Sequence, residues 1–303
     1  MLSSYLKLAL RSLMRQKLYA LVQIAGLGIG LACSMLIGIH VRYELGYDRQ
    51  FRHAERIFRL VWPDNACMPN PLAAVLEREL PEVERAVRVQ QRYRPLISHD
   101  EKRHFYRVHF ADEGFFELFD YVFLYGDPHG ALRAPASIVL REDVARQFFG
   151  DRDPIGQTLE WDGNHEYTVT GVVHVPEDTH LPFELMASYS TLSEHQTWEW
   201  YNVEGWRLHE RVYTYLLLPA GYQRPDFGQR VLDLIEAHGG PQWRQEYEKD
   251  FGAPRLQALT DIHLRSNLRY EPQQNGRVAF VYMLAVVASD QAGHTEVAAR
   301  LVQ

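Results

Sequence analysis

Residues Leu18 to Val41, LYALVQIAGLGIGLACSMLIGIHV, contain no aspartate, glutamate, lysine or arginine. As an α-helix this run reaches ~36 Å, enough to cross a ~30 Å hydrocarbon core with some tilt. Its strongest polar intrusions are Gln23 and, at the far edge, His40. Gly26, Gly28 and Gly30, with Ala25 and Ala32, form a small-residue patch of the kind that lets another membrane helix approach closely. These three glycines are the candidate helix-packing positions.

The flanks orient the span. The charges before it are Lys7, Arg11, Arg15 and Lys17, all positive, so a net charge of −7 leaves −11 for the rest (−7 minus +4). The positive-inside rule then places residues 1–17 in the cytoplasm and the chain after Val41 outside it. Lys7, Arg11 and Arg15 recur at every fourth position, and Leu2, Leu6, Ala9, Leu10 and Leu13 fall on another side. That pattern predicts a helix lying on the anionic inner leaflet. The apolar run exceeds a signal-peptide core, no A-x-A site follows it, and Gly30 stands where a lipobox wants leucine before Cys33. The reading is an uncleaved membrane anchor. Cys33 lies in the span and Cys67 beyond it, so no intrachain disulfide is expected.

Beyond the span, residues 42–277 form one acidic block without a low-complexity linker or repeat. Strands are predicted at Ile57–Trp62, Val83–Val89, Phe105–Phe110, Ser137–Leu140, Val212–Leu218 and Arg255–Leu259. A hairpin joins Gly156–Trp161 to Tyr167–Val175. Helices are predicted after Pro71 up to Pro81, from an Asp112 cap through Phe119, over Glu142–Phe149 with Gly150 as stop, and over Phe227–Ala237. The mixture predicts an α+β fold with mixed sheets.

Few constellations carry chemistry. Neither G-x-G-x-x-G nor G-x-x-x-x-G-K-[ST] occurs, so no nucleotide site is expected. His165-Glu166 and His209-Glu210 begin like H-E-x-x-H, but Val169 and Tyr213 occupy the second histidine position. His99, His104 and His109 read as surface histidines, and His174 and His180 flank a proline-containing turn, where a weak metal site is the minor alternative. Asp151/Asp153 and Glu177/Asp178 read as turn caps. Trp198, Glu199, Trp200 and Tyr201, with Trp206, form either an exposed patch or core. No catalytic residue, metal ligand or cofactor is expected, and the acidic balance argues against nucleic acid.

An ordered series of segments resembles a known family. YLKLALRSLMRQKLYALVQIAGLGIGLACSMLI, Glu44-Leu45-Gly46-Tyr47-Asp48, PLAAVLERELPEVERAVRV, FFELFDYVFLYGDPHGAL, ARQFFGDRDPIGQTL, YTVTGVVHVPEDTHLPFELMASYS and LTDIHLRSNLRYEPQQNG follow the order seen in FtsX-like ABC transporter permeases with a MacB-like periplasmic core domain. The resemblance implies a two-lobed mixed α/β extracytoplasmic domain, with the inserted lobe at roughly residues 105–205. It implies a permease paired with a cytoplasmic ABC ATPase and a second permease subunit or half. The substrate would be a peptide, antibiotic or lipoprotein, with a periplasmic adaptor as a further partner.

In that family a second span begins after the asparagine-glycine. Here Val278 to Ala288 starts one, and Ser289-Asp290-Gln291 breaks it. Residues 278–303 therefore read as an aborted second transmembrane segment with a tail unlike the family. The alternative is a single-pass, membrane-anchored binding or adaptor protein without transport.

Overall fold

The computed structural model describes residues 15, 17–91, 94–194, 205–206, 211–241, 243 and 252–286. The chain divides into two compact units, residues 1–46 with 276–303, and Tyr47–Asn275.

In the first unit, α1 runs from Lys17 to Gly46, 30 residues, a turn longer than the uncharged stretch because nothing in Arg42–Gly46 breaks a helix. Leu18, Ile24, Ile29, Met35 and Ile39 all stand exposed, as a lipid-facing helix requires. A second helical stretch occupies 278–286. The expected inner-leaflet helix over 1–17 lies outside the described residues except for Arg15 and Lys17, and the tail beyond 286 lies outside them as well.

The second unit is built on one sheet. Its strands are β1 (Ile57–Val61), β2 (Arg85–Gln91), β3 (Leu96–His99), β4 (Lys102–Phe105), β5 (Val108–Ala111), β6 (Val122–Gly126), β7 (Ser137–Arg141), β8 (Thr158–Trp161), β9 (His165–His174), β10 (Leu185–Ser188), β11 (Val212–Leu217) and β12 (Arg255–Ala258). They lie in the order β12-β1-β11-β2-β5-β10-β7-β9-β8-β3-β4, with β6 also on β9. The β5/β10 and β7/β9 pairs are parallel and the rest antiparallel. β2 and β11 are neighbours along their whole length, although the strands from β3 to β10 intervene in sequence.

Helices cover the sheet where their apolar faces allow. α2 (Leu72–Glu79) buries Leu72, Ala73, Val75 and Leu76, and Leu80 ends it before Pro81. α3 is a short turn, Phe115–Leu118. α4 (Glu142–Phe149) carries Glu142 and Asp143 in its first turn and buries Val144, Ala145, Phe148 and Phe149; Gly150, at φ +63°, stops it. α5 is Ser190–Glu194, α6 is Phe227–Gly239 and α7 is Ile262–Arg265. α2 and α6 enclose a core with Leu60, Trp62 and Leu216, and α4 encloses another with Phe110, Trp161 and Tyr167. A third core, rich in phenylalanine, joins Val87 and Tyr215 to Phe115, Phe119 and Phe183.

The run Phe105–Phe110 is not one strand. It breaks at Tyr106-Arg107, because Tyr106 turns into the α4 core and donates from its hydroxyl to Gln147 Oε1 at 2.7 Å. The chain thereby passes from an outer strand to the sheet centre, leaving Phe105 61% exposed and Phe110 fully buried. Asp112 caps no helix with its side chain; Arg88 takes the carboxylate through its backbone N–H and guanidinium. β6 lies close on β9, since a Cβ at Gly171 would stand 2.6 Å from the Phe123 ring.

Candidate functional site

The structure separates the chemistry-bearing residues that the sequence singles out. A Cβ at Gly26, Gly28 or Gly30 would meet nothing within 4 Å among the described residues. His99 and His104 are partly exposed, but His109 is buried at 1% exposure, because β5 is an interior strand. Its imidazole has no hydrogen-bond partner among the described residues, and burial drives its pKa down to about 3, with Arg107 assisting. His174 pairs with Glu142 at the surface, whereas His180 is buried 1% exposed, so the two do not converge. Among the described residues no cluster of histidine, cysteine, aspartate or glutamate is arranged to hold a metal. Trp206 stacks on His238; Trp198 to Tyr201 lie outside the described residues.

Cys67 is buried, and its sulfur accepts the Arg211 N–H at 3.0 Å. Burial pushes its thiol pKa up to about 11. Alkylation of Cys67 in the folded chain at pH 8 is expected to be on the order of a hundredfold slower than in denaturant. Peptide-resolved mass spectrometry reads this directly; equal rates would mean that the thiol is accessible.

What the fold does concentrate is a set of buried polar contacts at the two ends of the second unit. At the incoming end, Tyr47 stacks on His263 of α7, ring centroids 3.4 Å apart and nearly parallel. Asp48 is fully buried with φ +59°, a left-handed conformation that aspartate tolerates better than most residues. Its N–H donates to Asp178 O at 2.9 Å. Its carboxylate accepts from Thr179 Oγ1 at 2.9 Å and from the His180 N–H at 3.1 Å. His180 Nδ1 also stands 2.9 Å from Asp48 Oδ1, a close contact that is not an aligned hydrogen bond. His180 Nε2 meets the Tyr215 hydroxyl at 2.8 Å.

At the outgoing end, residues 266–275 are tied down repeatedly. Arg59, fully buried on β1, grips Glu271 through two bonds of 2.7 and 2.9 Å. It also donates to Gln257 Oε1 at 2.8 Å and Ser266 Oγ at 3.1 Å. Burial alone would lower the guanidinium pKa; the Glu271 bond and the surrounding tyrosines and carboxylate outweigh it, so the net shift is upward. Tyr213 donates to Tyr270 O, Arg269 pairs with Asp64, and Asn275 Nδ2 donates to Ser266 O. Gln273 Nε2 donates to Thr179 O at 3.0 Å. The turn that receives Asp48 therefore also receives Gln273.

Residues 20–233 match the sequence family described as the MacB-like periplasmic core domain. The chain belongs to that family. The match runs from α1 to α6, so the MacB-like domain here includes most of the sheet. A solved domain named as part of a permease protein from Porphyromonas gingivalis shares the fold, at 19% identity and TM-score 0.57, covering 78% of this chain and 99% of that one. The periplasmic region of MacB from Actinobacillus actinomycetemcomitans aligns at 12% identity and TM-score 0.49, over 69% of this chain and 91% of that one. The extracellular domain of the ABC-type transporter YknZ from Gram-positive bacteria aligns at 12% identity and TM-score 0.47, over 66% and 99%. No curated protein matches the chain.

Sequence reasoning assigned no role to Asp48, Arg59 or Glu271, and named His180 only for its place with His174 beside a turn. One signal was present for Arg59. Ile57, Arg59 and Val61 share a strand face, so an arginine between two apolar neighbours faces the core and needs a carboxylate.

Proposed function

We propose that this chain is a membrane-anchored permease component of an ABC-type system, with its MacB-like domain outside the cytoplasm. The observation that carries this reading is a family match that begins inside an apolar, exposed 30-residue helix and continues through the α/β unit. In this reading residues 1–17 lie on the cytoplasmic face, 18–41 cross the bacterial inner membrane, and 42–277 form the periplasmic core. Its inserted lobe, roughly 105–205, falls within the strands that come between β2 and β11. Gly26 and Gly30, one turn apart, leave room for a second membrane helix, from the same protein or a second permease subunit, and Gly28 does so on the opposite side.

The chemistry of such a part is mechanical. A partner ATPase hydrolyses ATP in the cytoplasm, and this chain passes the resulting motion to a domain that acts on a peptide, antibiotic or lipoprotein. The buried polar contacts at both ends of residues 47–275 suit this role, since they resist being pulled apart.

Alkaline phosphatase fused behind Tyr47 is expected to be active, and a cytoplasm-requiring reporter at the same position silent. The reverse pattern overturns the orientation. Affinity purification of the full chain from membranes is expected to bring with it a protein carrying G-x-x-x-x-G-K-[ST]. Its consistent absence removes the ATPase partner and favours the adaptor reading.

A further inference from the structure

We infer that the turn Asp178-Thr179-His180 fastens the incoming and outgoing ends of the domain to each other, so that the two move as one body. Asp48 is the second residue of the domain and Gln273 stands two residues before its last, Asn275. They are 225 positions apart in sequence (273 minus 48), yet both bond to this one turn.

The turn is suited to the task. Thr179 takes Asp48 with its hydroxyl and Gln273 with its carbonyl, so one residue serves both ends. Thr179 and His180 are each 1% exposed, and Asp48 is fully buried. Water therefore competes poorly for these bonds. The turn is itself anchored to the sheet, because His180 Nε2 meets Tyr215 on β11. The Tyr47–His263 stack closes a second link between the same two ends. A displacement delivered at Tyr47 and Asp48 thus meets the outgoing segment at two places, His263 through the ring stack and Gln273 through the turn. Asp48 and Gln273 are positioning residues. The inference concerns the domain's own mechanics and stands apart from the permease reading.

Coupling of this kind is reciprocal, which makes it testable from either end. Spin labels are placed singly at exposed Gln50, Gln274 and, as a control on α4, Arg146, in the full chain reconstituted in lipid nanodiscs. Asp48→Asn removes the charge that the turn receives and is expected to shorten the rotational correlation time at Gln274 at least twofold. Gln273→Leu is expected to do the same at Gln50. The control label is expected to stay unchanged in both. If Asp48→Asn fails to fold, Gln273→Leu carries the test alone. An unchanged label at the opposite end overturns the inference. So does an equal shortening at all three positions, because the residues would then serve general stability only.

Discussion

Replacing Arg59 with methionine is expected to destabilise residues 47–275 by about 3–5 kcal/mol. The guanidinium is fully buried and satisfies Glu271, Gln257 and Ser266 at once. Methionine fills much of the same volume, so the loss comes chiefly from the partners left behind. The Glu271 side chain is only 10% exposed and would hold an uncompensated charge. That cost is a large share of the ~5–15 kcal/mol by which domains are stable. For a domain of this size it lowers the thermal midpoint by roughly 10 °C. Glu271→Met in the Arg59→Met background should recover part of the loss, since a buried ion pair replaced as a unit leaves no orphaned charge. Urea denaturation of the full chain measures both. A single-variant loss under ~1 kcal/mol would mean that water or side-chain rearrangement already solvates Glu271.

The second large effect depends on pH. In the folded chain the pKa of His109 lies near 3, whereas an unfolded histidine titrates near 6.5. Above pH 6.5 both states carry a neutral imidazole, and His109 makes stability no more or less pH-dependent. As pH falls from 6.5 toward 3, the unfolded chain binds a proton that the native core excludes, and stability is lost throughout that window. At pH 4.5 the difference amounts to ~2–3 kcal/mol, at ~1.4 kcal/mol per pH unit. His109→Leu removes the titrating group, and no hydrogen bond among the described residues is lost with it. The variant is expected to match the parent at pH 8 and to exceed it by ~2–3 kcal/mol at pH 4.5. Parallel pH–stability curves for the two proteins would show that the imidazole is protonated where it stands. The two proteins differ at this one position, so the difference between their curves isolates it.

Local pattern and local chemistry made several elements legible. α2 lies between Pro71 and Pro81, and α4 between an acidic first turn and Gly150, because proline, charge and glycine act on the backbone within a few residues. The β8–β9 hairpin was legible for the same reason. β6 and β10 were not, since neither Val122–Gly126, mostly exposed, nor Leu185–Ser188, buried throughout, alternates between apolar and polar residues. The run from Phe105 to Phe110 alternates as a single strand would, yet β4 and β5 sit at different places in the sheet. Of the candidate site, the segments Glu44–Asp48 and Leu259–Gly276 were recognisable by resemblance, but none of their contacts was.

By itself, then, the sequence determined that this chain carries a membrane-length apolar helix followed by an acidic α+β body of the MacB-like kind. Charge, hydropathy and capping are properties of neighbouring residues, and they need no partner to be read. Tertiary structure alone decided that His109 is interior, that Arg59 meets Glu271 across more than two hundred residues, and that Asp48 and Gln273 share a turn. Those outcomes follow from which strands become neighbours, and a pairing between distant segments leaves no trace in the periodicity of either.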